Sequence, residues 1–293
     1  GGLFRLSWGG RSVKCRESLS ELTSAVALSI CDDKRMTRRI VQAAGVRVPE
    51  RIEPDNAAAI EAALEKYGSL VVKPARGEQG QGVAVGLTTM GEVQTALKRA
   101  RGICAEVLIE EQVQGEDLRL VIIDYKVVAC ALRRPPRVIG DGRSTLRALI
   151  EHQSRRRSAA TGGESKIPVD AETERTLAEA GYRLDDVAPD GTEVLVRKAA
   201  NLHLGGTIHD VTEEVHPALI QAAIAAARAI DIPVTGIDLM VKSPREPDYA
   251  FIEANERPGL ANHEPRPTAE RFIDLLFPLS APAAARTAAR AEP

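Results

Sequence analysis

At 293 residues, with 44% hydrophobic and 27% charged residues, the chain has an ordinary globular composition, long enough for two domains or one large α/β unit with a lid. A net charge of −2 and an aromatic content of 3% exclude the basic footprint and the stacking platforms that nucleic-acid binding uses. No apolar run approaches the ~18–20 residues that span a bilayer. Cys15, Cys31, Cys104 and Cys130 are scattered without disulfide or zinc spacing, so reduced thiols in a cytoplasmic protein are expected. The start at Gly1-Gly2, without Met, reads as a partial or processed chain lacking its natural N-terminal part.

In chain order, residues 3–16 predict two strands around the Gly9-Gly10 turn. Residues 18–31, opened by a serine, carry a helical apolar pattern, and 33–45 predict a helix closed by Gly45. A short strand at 46–50 and a helix ending on Gly68 follow. Residues 69–75 read as a buried strand, 77–82 as a glycine-rich loop and 83–87 as a strand. A helix at 91–102, a strand at 107–113 and two strands in 118–132 around Asp124-Tyr125 complete a mixed sheet with a packed helix. Residues 133–197 read as a helical insertion with a loop at 161–166. The remaining expectations are a long helix at 217–230, strands at 235–242 and from Tyr249 toward Gly259, a helix at 269–277 and a disordered tail at 279–293.

Three constellations carry chemistry. Lys73 ends a hydrophobic strand beside a loop whose glycines let backbone N–H groups approach an anion, with the ammonium adding charge. The loop lacks the G-K-[ST] ending of a P-loop and leads into a strand, which also excludes a dinucleotide-binding fingerprint. Residues 110–113 (Glu-Glu-Gln-Val) leave a strand where backbone groups could hold a base and a carboxylate a ribose. Asp238, Glu253 and Asn255 lie in strands that could pair, and Glu253 and Asn255, two apart, share a face. Three oxygen ligands on one face suit Mg²⁺, which takes one or two carboxylates plus phosphate oxygens and water. Arg119, Arg133 and Arg197, at the edges of hydrophobic segments, are candidate clamps on phosphate or carboxylate. No nucleophile elbow is present.

In order and spacing, DK at 33–34, VVKP at 71–74 with GEQGQGV at 77–83, EEQVQGEDLR at 110–119, GIDL at 236–239 and EAN at 253–255 resemble the ATP-grasp superfamily over residues 24–278. The segments 140–150 and 200–217 resemble its cyanophycin synthetase branch. Segment 254–278 looks closer still to the N-acetylglutaminylglutamine synthetases, which make an osmoprotective dipeptide and carry an acetyltransferase-like segment ahead of the grasp. The resemblance implies an α/β (α+β) fold of two subdomains gripping ATP. The chain would divide into residues 1–45 leading in, a lid subdomain at 46–115, a large subdomain at 116–278 with its insertion at about 133–197, and the tail.

It further implies ATP and Mg²⁺, two ions with Mn²⁺ as a substitute. Lys34 and Lys73 would contact the phosphates, under a lid containing Gly77, Gln79, Gly80, Gly82 and Val83. Glu110, Glu111, Gln112 and Val113 would form the adenine hinge. Arg119, Arg197 and Asn201 would line the γ-phosphate and substrate side, with Asp238, Glu253 and Asn255 on the metal. Gln81 stands where relatives carry a basic residue late in the loop. The implied reaction joins a carboxylate to an amine through an acyl-phosphate, with small amino-acid or dipeptide substrates, no nucleic acid or membrane partner, and room for a homo-oligomer. Alternatives are an enzyme extending a peptide polymer, a kinase, and a nucleotide-binding module without catalysis; the last predicts loss of a metal ligand or phosphate lysine, and all are present.

Overall fold

The computed structural model describes residues 2–76, 81–163, 165–263 and 265–279. The hairpin β1 (Leu3–Trp8) and β2 (Arg11–Arg16) is extended by β3 (Leu19–Ser20), followed by α1 (Ala25–Asp32) and α2 (Lys34–Ala43). Next come β4 (Arg51–Ile52), α3 (Ala57–Tyr67), β5 (Leu70–Pro74), β6 (Ala84–Leu87), α4 (Met90–Arg101) and β7 (Val107–Glu111). The strands β8 (Glu116–Ile123) and β9 (Lys126–Arg134) lead to β10 (Arg137–Ile139), α5 (Leu146–Ala160), α6 (Ala171–Glu179), β11 (Glu193–Leu195) and β12 (Thr207–Asp210). The chain closes with α7 (Pro217–Ile230), β13 (Val234–Val241), β14 (Tyr249–Asn255) and α8 (Thr268–Leu276). Two compact units result: the described parts of Gly1–Ala131 with Asp210–Pro293, and of Leu132–His209.

In the first unit, an antiparallel sheet of order β4-β7-β5-β6 buries one face under α3 and α4. The alternation Leu70/Val72 and Val107/Ile109 points those side chains into the helices. The α4 residues Val93, Ala96, Leu97 and Ala100 meet them at helical spacing. Thr89 and Glu92 form a capping box that starts α4. The opposite sheet face carries Val71, Lys73, Leu108 and Glu110, and on it Lys73 and Glu110 pair as ions.

The same unit holds a second sheet in which β9-β8-β13-β14 are neighbours. The predicted Asp124-Tyr125 turn is present, with both residues at positive φ (55° and 57°), the geometry of a tight hairpin. α7 lies on β8 and β13 through Leu219, Ala222, Ala223, Ala226, Ala227 and Ile230; small alanines let helix and sheet come close in a chain with few aromatics. On the other face, Val121, Ile123 and Val234 pack with Phe272, Leu276 and Phe277 of the α8 region. The second unit has its own core, in which Val138, Leu146, Ile150, Leu177, Val194 and Val196 join the β10–β11 ladder to α5 and α6.

Some sequence expectations shift. The helix expected over 18–31 begins only at Ala25, where the Ser24 hydroxyl caps it by accepting from the Ala27 N–H. Leu19 and Ser20 pair instead with Arg16 and Cys15, because the sheet edge satisfies backbone groups that a helix start there would leave unpaired. The strand expected at 46–50 is displaced to Arg51–Ile52. Among the described residues no helix is long and apolar enough to cross a membrane. The tail expected at 279–293 lies, apart from Leu279, outside the described residues.

Gly115 joins the two sheets between β7 and β8, with φ +154°, and a Cβ there would collide with the Val241 carbonyl. Gly115→Ala should therefore destabilise the protein by about 1–3 kcal/mol, read as a lower chemical-denaturation midpoint, whereas an alanine at the open, helical Gly91 should not.

Candidate functional site

An ionic row crosses three adjacent strands of the second sheet. In register, Arg119 of β8 faces Asp238 of β13, and Asp238 faces Glu253 of β14. Directly opposed residues share a face, so a guanidinium and two carboxylates are presented together. Arg119 donates from Nε to Asp238 Oδ1 and from Nη2 to Oδ2, both at 2.7 Å. That parallel fork is the strongest form of Arg–carboxylate pairing. Asp238 is only 2% exposed, so a lone charge there would be costly. Asn255 Nδ2 donates to Asp238 Oδ2 at 3.3 Å and Glu253 Oε1 at 3.4 Å. The structure thus brings Arg119, Asp238, Glu253 and Asn255 together.

Gly236, which sequence reasoning quoted only as part of a motif, lies beside this arrangement. It lies two residues before Asp238 on the same face, opposite Asn255. A Cβ there would stand 3.5 Å from Arg119 Nε and 3.3 Å from the Pro258 Cβ. A glycine two residues before an acid in a buried strand was the available signal.

No set of three or more His, Cys, Asp and Glu side chains among the described residues is placed to hold a metal. The row offers two carboxylates, with Asn255 turning its amide nitrogen toward them. That donor set fits Mg²⁺ or Mn²⁺ completed by phosphate oxygens and water, and is too sparse for an all-protein cage.

A second ionic centre lies in the other sheet. Glu110, 4% exposed, takes Lys73 Nζ at 2.6 Å on one oxygen and Arg38 Nη1 at 2.6 Å on the other. Burial opposes its charge, but the Lys73 ammonium and then the Arg38 guanidinium outweigh it and hold the carboxyl below the ordinary glutamate value. Two cations on one carboxylate leave a net positive charge beside the end of β5. Arg38 was missed by sequence reasoning; its signal is the i, i+4 spacing from Lys34 on α2, which puts both on one helix face.

α2 is held against this centre by its own start. Asp33 caps the helix, accepting from the Arg35 and Met36 amides, and the Lys34 amide donates to the Ala75 carbonyl at 3.1 Å. The Lys34 backbone is therefore fixed to Ala75, two residues past Lys73 and just beyond β5. The expected hinge is partly committed: the Glu111 amide donates to the Glu50 carbonyl and the Gln112 amide to the Ser69 carbonyl. Gln112 Oε1 accepts from the Gly86 amide at 2.8 Å, and the Glu110 carboxylate is enclosed by its two cations. Val113 follows β7, and Gly82 and Val83 precede β6. Gly77, Gln79 and Gly80 lie outside the described residues.

In the second unit Arg197, 3% exposed, donates to Asp170 and Thr173 through Nη1 and to Glu172 through Nη2. These bonds fasten β11's end to the start of α6. The Asn201 side chain caps its own short turn by accepting from the His203 amide.

No protein-family model matches the chain. In sequence it is 33% identical over 291 residues to the cyanophycin synthetase of Trichormus variabilis, covering 94% of this chain and 32% of that protein. It is 32% identical over 249 residues to a bifunctional glutathione biosynthesis protein of Streptococcus mutans, covering 79% of this chain and 32% of that one. The chain thus spans about a third of the length of the curated relatives it matches. Among solved structures, a bifunctional glutathione synthetase from Pasteurella multocida aligns with TM-score 0.66 and 24% identity over 94% of this chain and 41% of that one. A D-alanine–D-alanine ligase from Bacillus anthracis aligns with TM-score 0.53 and 17% identity over 90% and 71%. The fold is the ATP-grasp fold. Within it, the sequence kinship is with the cyanophycin synthetase-like branch.

Glu110→Gln should cost about 3–5 kcal/mol at neutral pH, because it leaves two buried cations without their partner. A carboxyl with a lowered folded pKa stabilises at pH above its unfolded value and loses that contribution as the pH falls through the folded one. Wild-type stability should therefore fall below about pH 4.5, the ordinary glutamate value, and the Glu110→Gln variant should show a shallower acid limb in denaturation measured against pH.

Proposed function

We propose that this chain is the ATP-grasp part of an ADP-forming ligase that joins a carboxylic acid to an amine through an acyl-phosphate. The observation that supports it most is the row Arg119–Asp238–Glu253 with Asn255, which gathers the groups that phosphoryl transfer needs on one sheet face. The Lys73–Glu110–Arg38 centre adds a fixed cation, and the kinship with synthetases points the same way. Phosphoryl transfer demands positioning and charge neutralisation more than a protein nucleophile, which agrees with a site of cations, carboxylates and amides. Magnesium held by Asp238, Glu253 and Asn255 would neutralise charge on the phosphate oxygens. Glu110 orients Lys73, whose ammonium, with Lys34, would steady the ATP phosphates. The backbone past the end of β7, at Gln112 and Val113, would receive the adenine.

For the substrates, the resemblance of segment 254–278 supports an N-acetylated glutamine-type acid joined to glutamine. The 33% identity to a cyanophycin synthetase favours a second reading, addition of amino acids to a peptide chain.

Phosphate release measured across amino acids, N-acetyl amino acids and short peptides should rise only with a matched acid and amine; no stimulation by any pair would remove the ligase reading. Glu253→Ala should lower metal-dependent turnover by at least about 100-fold, as for loss of a group that neutralises transition-state charge, with an unchanged circular dichroism spectrum. Retained activity would remove the metal assignment.

A further inference from the structure

Arg119 does more in this arrangement than wait beside a phosphate. Its fork takes both oxygens of Asp238 at 2.7 Å, on the side chain that the proposed function gives to the metal. Glu253 faces the same aspartate, and Asn255 donates to both carboxylates. Two carboxylates set in register, one of them 2% exposed, repel each other unless a cation or a proton intervenes. In the structure the Asn255 amide bridges the two, and the Arg119 guanidinium, on the strand at the other side of Asp238, neutralises that aspartate. The Arg119 side chain lies 3.5 Å from where a Cβ on Gly236 would stand, so it runs close along the β13 backbone.

We propose that Arg119 is the counter-ion of Asp238 in the acidic row, so that metal and guanidinium compete for the same carboxylate. This rests on Asp238, Glu253 and Asn255 being the metal-holding set. Two consequences follow. Metal alone binds weakly, because it must first break a buried, bidentate, charge-assisted pair. The displaced guanidinium then needs another anion, which a phosphate-bearing nucleotide supplies, so metal and nucleotide each favour the other's binding through Arg119. A residue that only touched phosphate would leave metal binding without nucleotide unchanged when removed. A counter-ion makes the opposite prediction, since its removal takes one positive charge away from the acidic row.

The experiment is Mn²⁺ binding, followed by the paramagnetic resonance signal of the free ion, to wild type, Arg119→Met, Arg119→Lys and Glu253→Gln, each with and without ADP. Methionine keeps much of the stem's packing and removes the charge. Arg119→Met should bind Mn²⁺ alone at least about tenfold more tightly than wild type, as expected when a buried compensating charge is lost. Its gain in Mn²⁺ affinity on adding ADP should shrink. Arg119→Lys, a single donor that cannot span both oxygens, should fall between them; it carries the same test should the methionine variant not fold. Equal or weaker Mn²⁺ binding in the absence of ADP for the folded variant overturns the proposal. The Glu253→Gln arm separates the two readings. If it leaves Mn²⁺ binding with ADP intact, the metal set itself is wrong. If it weakens that binding while Arg119→Met fails to tighten binding alone, only the counter-ion role falls.

Discussion

Two carboxylates that face each other across neighbouring strands are an electrostatic problem before they are a binding site. Asp238 and Glu253 face each other in the β13–β14 ladder, at the point where its register shifts. Arg119, delivered by the next strand in the same row, neutralises Asp238 with a bidentate pair. Asn255 bridges the carboxylates, and the cluster around Phe272 and Leu276 covers the same face toward the other end of β8. Buried ion pairs contribute little net stability compared with apolar packing, so the row is better explained by chemistry than by folding.

The other sheet solves a matching problem with the signs reversed. Lys73 and Arg38 would repel each other near the end of β5, and Glu110, 4% exposed, lies between them. The excess is positive here and negative in the acidic row. A polyphosphate with its metal ions carries both needs, anionic oxygens for the lysine side and cations for the carboxylates. Gly115, in a backbone conformation open only to glycine, joins the strands that carry the two centres.

Much of this was legible locally. Alternation marked the buried strands, and the i, i+2 spacing of Glu253 and Asn255 put them on one face without knowledge of any partner strand. What a local window cannot contain is register. The meeting of Arg119 with Asp238 joins residues 119 apart, and Glu110 was read as a ribose or adenine group because its partners are distant in sequence, Arg38 by 72 residues. The helix expected from residue 18 failed for the same reason: Leu19 and Ser20 have helical-looking neighbours, but β2 offers them a ladder. Glycine-loop positions 77, 79 and 80 lie outside the described residues, so their part in the reading rests on sequence.

The central claim is that a carboxylate oxygen attacks the terminal phosphate of ATP before the amine enters. It is tested most directly by supplying the acid substrate labelled with oxygen-18 in its carboxylate, together with ATP and the amine, and analysing the released phosphate by mass spectrometry. An acyl-phosphate route places one labelled oxygen in each phosphate formed with the amide. Amide formation with wholly unlabelled phosphate would contradict the account.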